Sequence, residues 1–270
     1  MTASPARTNP PQPAVSPEDL ARLDANMIAC FQLLAMASES GAAEEWDGIS
    51  LVATGAPAAS LNVAFVTRPL ADPARSLAEA SRWFRARKLL HSVRIRSGLD
   101  AEAGRACRAG GLAAVDTMPG MLLAHIGEQR AMPRDLDILR ADEPGAAADH
   151  QHVLSDGFPM PMDFAALLVA PPLLTHPATE LYVGYHAGEP VTASSLVVTG
   201  EVAGVYNVAT ILRSRRRGYG EAMTAHALRR GAELGCTMAT LQATLQGRPI
   251  YERMGFRTVA HYLTYQRPGR

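Results

Sequence analysis

The stretch VATILRSRRRGYGEAM, residues 208–223, places four arginines among five residues and follows them with Gly-Tyr-Gly. The apolar residues before it fit a strand, whereas Tyr219, Met223 and Ala227 recur at the spacing of one helix face. The arginines and glycines therefore lie in a turn between a strand and a helix. The N–H groups at a helix N-terminus have no intrahelical partner, and the helix dipole adds about half a positive charge there. The stretch predicts an anion-binding turn.

The residue types in this turn suit a phosphate. Gly218 and Gly220 lack the Cβ atoms that would keep a phosphate from the backbone amides, and the arginines at 215–217 add donors suited to phosphate oxygens. A Walker-type loop is excluded because no Gly-Lys-Ser/Thr follows, and the dinucleotide fingerprint fails because Met223 stands where its third glycine belongs. A solvated basic turn with no ligand is the alternative.

Composition narrows the class of protein. The 270 residues carry 26 Lys+Arg and 26 Asp+Glu, so there is no overall positive charge for nucleic acid, and no aromatic platform accompanies the arginines. No apolar run approaches the ~20 residues that span a bilayer, and the N-terminus lacks the apolar core of a signal peptide. We expect a cytoplasmic protein that binds neither membrane nor nucleic acid. Three distant cysteines without a C-x-x-C pair indicate neither a disulfide framework nor a zinc site.

The chain divides into four segments by pattern. Residues 1–18 are rich in Pro, Ala and Ser and predict a disordered tail. Residues 19–126 alternate between helical and strand periods, residues 127–135 are a polar linker, and residues 136–270 form a second unit. In that unit, three strands lead into a helix, a strand, a short helix and a last strand, which predicts an α+β fold with a mixed sheet.

Two motifs in this order resemble the GNAT superfamily of acyl-CoA-dependent N-acyltransferases. R-x-x-G-x-G stands at 215–220 after the strand VYNVAT, and a tyrosine four residues before Gly-Phe stands at 251–256. The resemblance covers roughly residues 135–267 and implies a mostly antiparallel sheet flanked by helices. It also implies that acetyl-CoA is the acyl donor, with its pyrophosphate on the amides of residues 216–221 and its pantetheine arm between splayed fourth and fifth strands.

The resemblance also assigns site residues. Tyr251 takes the position of the acid that protonates the departing thiolate; in the sequence it lies about 100° from the apolar pair Ile250 and Met254 of a short helix. A half-buried aromatic with no catalytic role is the alternative. Thr244 stands where the family often has Asn, which weakens that contact. The cofactor-binding residues implied are Val208, Ala209, Thr210, Arg215, Arg216, Arg217, Gly218, Tyr219, Gly220, Glu221 and Thr244.

No general base is evident. The family often has Glu on the fourth or fifth strand, whereas the residues here are Tyr206, Asn207, Thr240 and Gln242, of which Gln242 is able to orient a water. His261 on the last strand is more typical of a surface or core residue. His150 and His152 diverge by about 200° on a helix, so no metal site is predicted.

Residues 40–126 resemble a degenerate GNAT-like unit that covers the sheet of the second half or walls its acceptor pocket, so two tandem GNAT-like units are expected. They contain no R-x-x-G-x-G after a strand, and the segment RACRAGG at 105–111 is typical of a helix end. Tandem pairs with one inactive half occur in the superfamily.

The function favoured is N-acetyl transfer from acetyl-CoA to a primary amine, of a small molecule or a peptide, by direct attack in a ternary complex. Cys107 and Cys236 have no His nearby in sequence, so no acyl-cysteine is expected. The alternative is a non-catalytic acyl-CoA-binding or regulatory module. The sequence leaves open the acceptor, the acyl length and the oligomeric state, a homodimer included.

Overall fold

The computed structural model describes residues 15–46, 48–129, 133, 135–158 and 160–268. The first helix begins at Pro17, inside the segment predicted to be a disordered tail, because Ser16 forms a capping box with Asp19. Residues 1–14 of that predicted tail lie outside the described residues. Within the described part of the chain, no helix has both the length and the apolar character needed to span a membrane.

Helices and strands alternate in both halves. The first half contains α1 (Pro17–Met36), β1 (Ala42–Trp46), β2 (Ile49–Ala53), a 3-10 turn (Ala59–Leu61), β3 (Asn62–Val66), α2 (Pro73–Ala86), β4 (Ser92–Arg96), α3 (Ala101–Ala109) and β5 (Ala113–Leu123). The second half contains β6 (Asp137–Arg140), α4 (Pro144–Gly157), α5 (Met162–Leu167), α6 (Pro171–Thr175), β7 (Thr179–His186), β8 (Glu189–Thr199), β9 (Val202–Thr210), a 3-10 turn (Leu212–Ser214), α7 (Tyr219–Glu233), β10 (Met238–Gln242), α8 (Arg248–Arg253) and β11 (Arg257–Gln266).

All of these strands form one eleven-stranded sheet in the order β1-β2-β3-β4-β11-β5-β10-β9-β8-β7-β6. The pairs β3–β4 and β9–β10 are parallel, and the other described pairs are antiparallel. The predicted α+β class, with a mixed and mostly antiparallel sheet flanked by helices, is confirmed.

The two halves exchange their last strands. The first half's β5 pairs with β10 and β11 of the second half, and β11 pairs on its other side with β4 of the first half. The predicted linker 127–135, of which residues 130–132 and 134 lie outside the described residues, separates the halves in sequence while the sheet continues across both. The division into domains at that linker stays a prediction.

Helices cover both faces of the sheet. In β3, Ala64 packs with α2 and its neighbour Phe65 packs with α1; in β9, Val205 packs with α7 and Gly204 lies against α1. Because neighbouring strand residues point to opposite faces, α2, α3 and α7 share one face and α1 lies on the other. The α4 helix joins α1 on that face, since Ala193 of β8 packs in its cluster.

Helix α1 fixes the first half to the sheet of the second. The buried Asn26 amide donates to the Val197 carbonyl (3.1 Å) and the Thr199 hydroxyl (2.8 Å), and its Oδ1 accepts from the Tyr206 hydroxyl at 2.6 Å. Gly204 is required beneath it, because a Cβ there would lie 1.9 Å from the Asn26 Oδ1.

Candidate active site

The parallel strands β9 and β10 separate before they end. Their pairing stops at Gly204 and Thr240, while β9 continues to Thr210 and β10 to Gln242. The other edge of β10 stays paired with β5 as far as Gln242. A cleft therefore opens between β9 and β10, and one edge of β9 lines it.

A bulge reorients the last part of β9. The register with β8 shifts between the pairs that contain Ala193 and Ser195, and Asn207 has a left-handed φ of 53°. Its side-chain amide donates to the Ser195 hydroxyl at 3.2 Å. Asn tolerates this backbone region better than most residues, so the bulge lies where the sequence allows it.

Beyond the bulge, Thr210 directs its backbone toward the cleft. The N–H of Ile211 donates to the Val191 carbonyl of β8 at 3.0 Å. Hydrogen-bonded positions alternate along an antiparallel pair, so Ala209, two residues earlier, is also hydrogen-bonded to β8. Thr210 occupies the alternate site, whose backbone groups point away from β8. The carbonyl of Ala209 also accepts from the Thr192 hydroxyl at 2.6 Å.

The turn after β9 ends on a helix N-terminus. Arg216 and Gly218 both have left-handed φ values, of 64° and 82°, and α7 starts at Tyr219. The first backbone bond of the helix joins the Ala222 N–H to the Gly218 carbonyl at 3.0 Å. The N–H groups of the residues before Ala222 precede the first helical hydrogen bond and lie at the positive end of the helix dipole. Such an arrangement binds anions.

The arginines of the turn differ in role. The Arg215 guanidinium donates to the carbonyls of Thr210 (3.1 Å) and Gly157 (2.7 Å), so it ties the end of β9 to the end of α4. Arg217 lies with its Nη1 3.4 Å from the His186 Nε2, while Arg216 is exposed.

The buried face of the turn is held by Asp135. Its Oδ2 accepts from the Tyr219 hydroxyl at 3.1 Å, and its carbonyl lies 3.0 Å from the His186 Nδ1. Glu221, in the first turn of α7, lies 3.7 Å from the Arg253 guanidinium of α8. This ion pair connects the turn to the helix that carries Tyr251.

Tyr251 lies on α8 with its ring in edge contact with Phe256, at 6.0 Å between centroids. Burial raises the pKa of its phenol to about 12, so the hydroxyl keeps its proton at neutral pH and is able to donate it. Within the described residues, no hydrogen bond is formed by this hydroxyl. Thr244, by contrast, is engaged locally: its Oγ1 accepts from the Gly247 N–H at 3.1 Å.

Two polar side chains of β10 lie near the cleft with buried atoms that lack partners in the described part of the chain. These are the Thr240 Oγ1 and the Gln242 Nε2. They alternate with residues that pack against α7, so they point to the face that carries α1. Neither β9 nor β10 contains a carboxylate.

The three histidines weighed from the sequence, His150, His152 and His261, lie apart from this cleft or inside the core. His261 is exposed on β11, opposite Pro119. His150 is fully buried with its Nε2 3.3 Å from the Ser194 carbonyl, and burial lowers its pKa to about 4, whereas His152 is exposed. Among the described residues, no three His, Cys, Asp or Glu side chains converge on a metal-sized site.

Among the described residues of the first half, the corresponding strand pair forms no such cleft. Its parallel pair β3–β4 stays paired as far as Val66 and Ile95. The following helix, α2, is capped by the Asp72 carboxylate, which accepts from the Arg75 N–H at 3.0 Å, and Pro73 removes one N–H donor. The chain's own carboxylate therefore occupies the place that an anion would take.

Two features were missed from sequence, the bulge at Asn207 and the two carbonyl bonds of Arg215. An Asn within an apolar strand was a signal for the first. The second joins residues far apart in the chain, and no local pattern reports it.

Comparisons with known proteins agree with this geometry. Residues 194–259 match the family model of the acetyltransferase (GNAT) domain. The fold resembles a GCN5-related N-acetyltransferase from Kribbella flavida, at 19% identity and a TM-score of 0.73, over 93% of this chain and 96% of that one. It also resembles a tandem GNAT protein from the clavulanic acid biosynthesis pathway, at 13% identity and a TM-score of 0.59, over 92% and 96% of the two chains.

A GCN5-related N-acetyltransferase from Sphaerobacter thermophilus is similar at 14% identity and a TM-score of 0.59, over 83% of this chain and 78% of that one. Among curated proteins, none matches the sequence. The chain therefore has a fold like that of GNAT proteins, one of them a tandem GNAT protein, and residues 194–259 match the acetyltransferase (GNAT) domain.

Proposed function

We propose that the protein transfers an acetyl group from acetyl-CoA to a primary amine, of a small molecule or a peptide, by direct attack in a ternary complex. The observation that carries this proposal is the cleft between β9 and β10, which leads to the N-terminus of α7.

The donor fits this cleft by its chemistry. A diphosphate suits the N–H groups from Arg216 to Gly220, and the exposed Arg216 adds a positive charge. Gly218 has no Cβ, and nothing lies within 4 Å of the position that a Cβ would take there. A phosphate is therefore able to approach the backbone of the turn at this residue. The amide-rich pantetheine arm suits the edge of β9 at Thr210, in the manner of an added strand.

Tyr251 supplies the proton in this account. The amine forms a C–N bond with the thioester carbonyl, the C–S bond breaks, and the phenol protonates the departing thiolate. The proton that the amine loses passes to solvent, through a water held by Gln242, and the Tyr251 phenolate regains a proton from solvent. The net products are the N-acetylated amine and CoA with a free thiol.

Direct attack is favoured over an acyl-cysteine. Burial raises the pKa of Cys30 and of Cys107 to about 12 and also raises the pKa of Cys236, so these thiols stay protonated at neutral pH. A protonated, buried thiol is a poor nucleophile.

A second candidate function is an acyl-CoA-binding or regulatory module without catalysis. The observation that favours it is the absence of a carboxylate on β9 and β10, the two strands that line the cleft. Such a module would bind CoA and acetyl-CoA with similar affinity and release no thiol.

The test is to monitor thiol release from acetyl-CoA with a panel of primary amines, which includes amino acids, polyamines, aminoglycosides and peptide N-termini. Amine-dependent release above the rate of hydrolysis supports the transferase. Binding of acetyl-CoA without release by any amine supports the module, and absence of binding contradicts both.

A further inference from the structure

Among the described residues, Arg94 of β4 is a buried cation without an ionic partner. The residue is 7% exposed and lies between the rings of Phe31 and Phe65, at 5.2 and 5.5 Å from their centroids. Its Nη1 contacts the Met27 sulfur at 3.9 Å, and its Nε has no hydrogen-bond partner in the part of the chain that the structure describes. Arg96, two residues on, is in contrast paired with a carboxylate at 2.8 Å.

Two buried hydroxyls without partners adjoin Arg94. Thr264 of β11 lies directly opposite it in the sheet, and Ser92 precedes it by two residues on the same strand and therefore on the same face. Their Oγ atoms are buried and, within the described residues, form no hydrogen bonds. Three groups able to donate thus lie at adjacent positions of one sheet face.

In the part of the chain that the structure describes, no neighbour neutralises the charge of Arg94 by an ion pair. Asp116, one strand beyond Thr264, acts on it only at a distance, since this exposed carboxylate accepts from the Thr117 N–H and forms no ion pair with Arg94. Burial lowers the pKa of Arg94 to about 10, which still leaves it charged at neutral pH. A buried charge without a partner and buried donors without acceptors are both strongly unfavourable. The cluster of Arg94, Ser92 and Thr264 is therefore expected to bind a ligand that supplies acceptors.

We propose that Arg94, Ser92 and Thr264 bind a small inorganic anion of halide size, such as chloride, beneath α1. An anion is indicated because the guanidinium only donates and both hydroxyls are able to donate. A small one is indicated because the three residues are only 7%, 0% and 4% exposed. Three strand spacings, about 14 Å, separate β4 from β10, so this site is distinct from the cleft and independent of the proposed function.

The test compares thermal unfolding of the full chain in sodium chloride and in sodium gluconate at equal ionic strength. Chloride should raise Tm by roughly 2–4 °C, as expected for a ligand that binds only the folded state. Arg94→Met should abolish this difference. The exposed Arg75, which pairs with Glu79, serves as the matched control, and Arg75→Met should keep the difference.

Equal Tm values in the two salts for the wild type, or a persistent difference in Arg94→Met, would overturn the proposal. If Arg94→Met does not fold, Thr264→Val removes one donor and keeps the charge, and it should reduce the difference. Crystals of the wild-type protein soaked in bromide give a second readout, in which an anomalous peak beside Arg94 and Thr264 supports the site and water alone overturns it.

Discussion

At the scale of single residues, the turn stores strain at Arg216. Its φ of 64° is left-handed, a conformation that costs a non-glycine residue about 1–2 kcal/mol, and glycine adopts it freely. Arg216→Gly should therefore raise the free energy of unfolding of the ligand-free protein by about 0.5–1 kcal/mol, after the larger entropy of the unfolded chain is counted. Urea denaturation measures this. Arg213→Gly, in the preceding 3-10 turn, is the control and should lower stability, and equal effects would contradict the strain.

In the proposed mechanism, Tyr251 is the residue on which the chemistry depends. Tyr251→Phe should lower the rate of thiol release about 100-fold or more, because it removes only the acid, and should leave CoA affinity unchanged. Since burial raises the phenol pKa to about 12, the wild-type rate should show no decline due to this group between about pH 7 and about pH 10. An alkaline decline near neutral pH that disappears in the variant would contradict this role.

At the scale of elements, Arg215 joins the end of β9 to the end of α4. Its bonds to the carbonyls of Thr210 and Gly157 are charge-assisted. Arg215→Gln should lower the free energy of unfolding by about 1–2 kcal/mol in urea denaturation, since the bond to Thr210 is exposed and the bond to Gly157 is partly buried. Arg213→Gln, which removes an exposed guanidinium from the same turn, should change stability little. Equal losses in both variants would mean that Arg215 does not hold the turn.

The sequence predicted the elements that depend on local patterns. The strand, turn and helix around residues 208–223 were predicted because strand alternation, glycines and helix spacing meet there. β1 was missed because its exposed edge carries Glu44 and Glu45 and shows no apolar alternation. The exchange of β5 and β11 was missed because strand order depends on contacts between residues more than 100 apart, which no local pattern encodes.

For the candidate site too, the sequence predicted only the features that depend on local patterns. The anion-binding turn and the position of Tyr251 came from motifs, and their roles toward a ligand stay predictions. The locally engaged side chain of Thr244 and the bond from Arg215 to Gly157 became visible only in three dimensions.

At the scale of the whole molecule, burial of His150 makes stability depend on pH. Its folded pKa is about 4 against 6.5 for an ordinary histidine, so only the unfolded chain binds a proton between these values. Stability should therefore fall as pH decreases through this window, by about 1.4 kcal/mol per pH unit for this histidine. His150→Gln should reduce the slope of unfolding free energy measured from pH 6.5 to about 5, and an unchanged slope would contradict the buried neutral state.

Among the described strands, the β9–β10 pair opens a cleft, whereas the β3–β4 pair stays closed and Asp72 caps α2. Isothermal titration of CoA tests this most directly, and we expect one site per chain. Gly218→Ala should weaken binding about tenfold or more, because a Cβ would intrude on the anion site. Gly235→Ala, at the other end of α7, is the matched control with a similar φ (89° against 82°) and the same open surroundings, and it should bind CoA as the wild type does. Absence of binding by the wild type, or equal affinities in the two variants, would contradict the account.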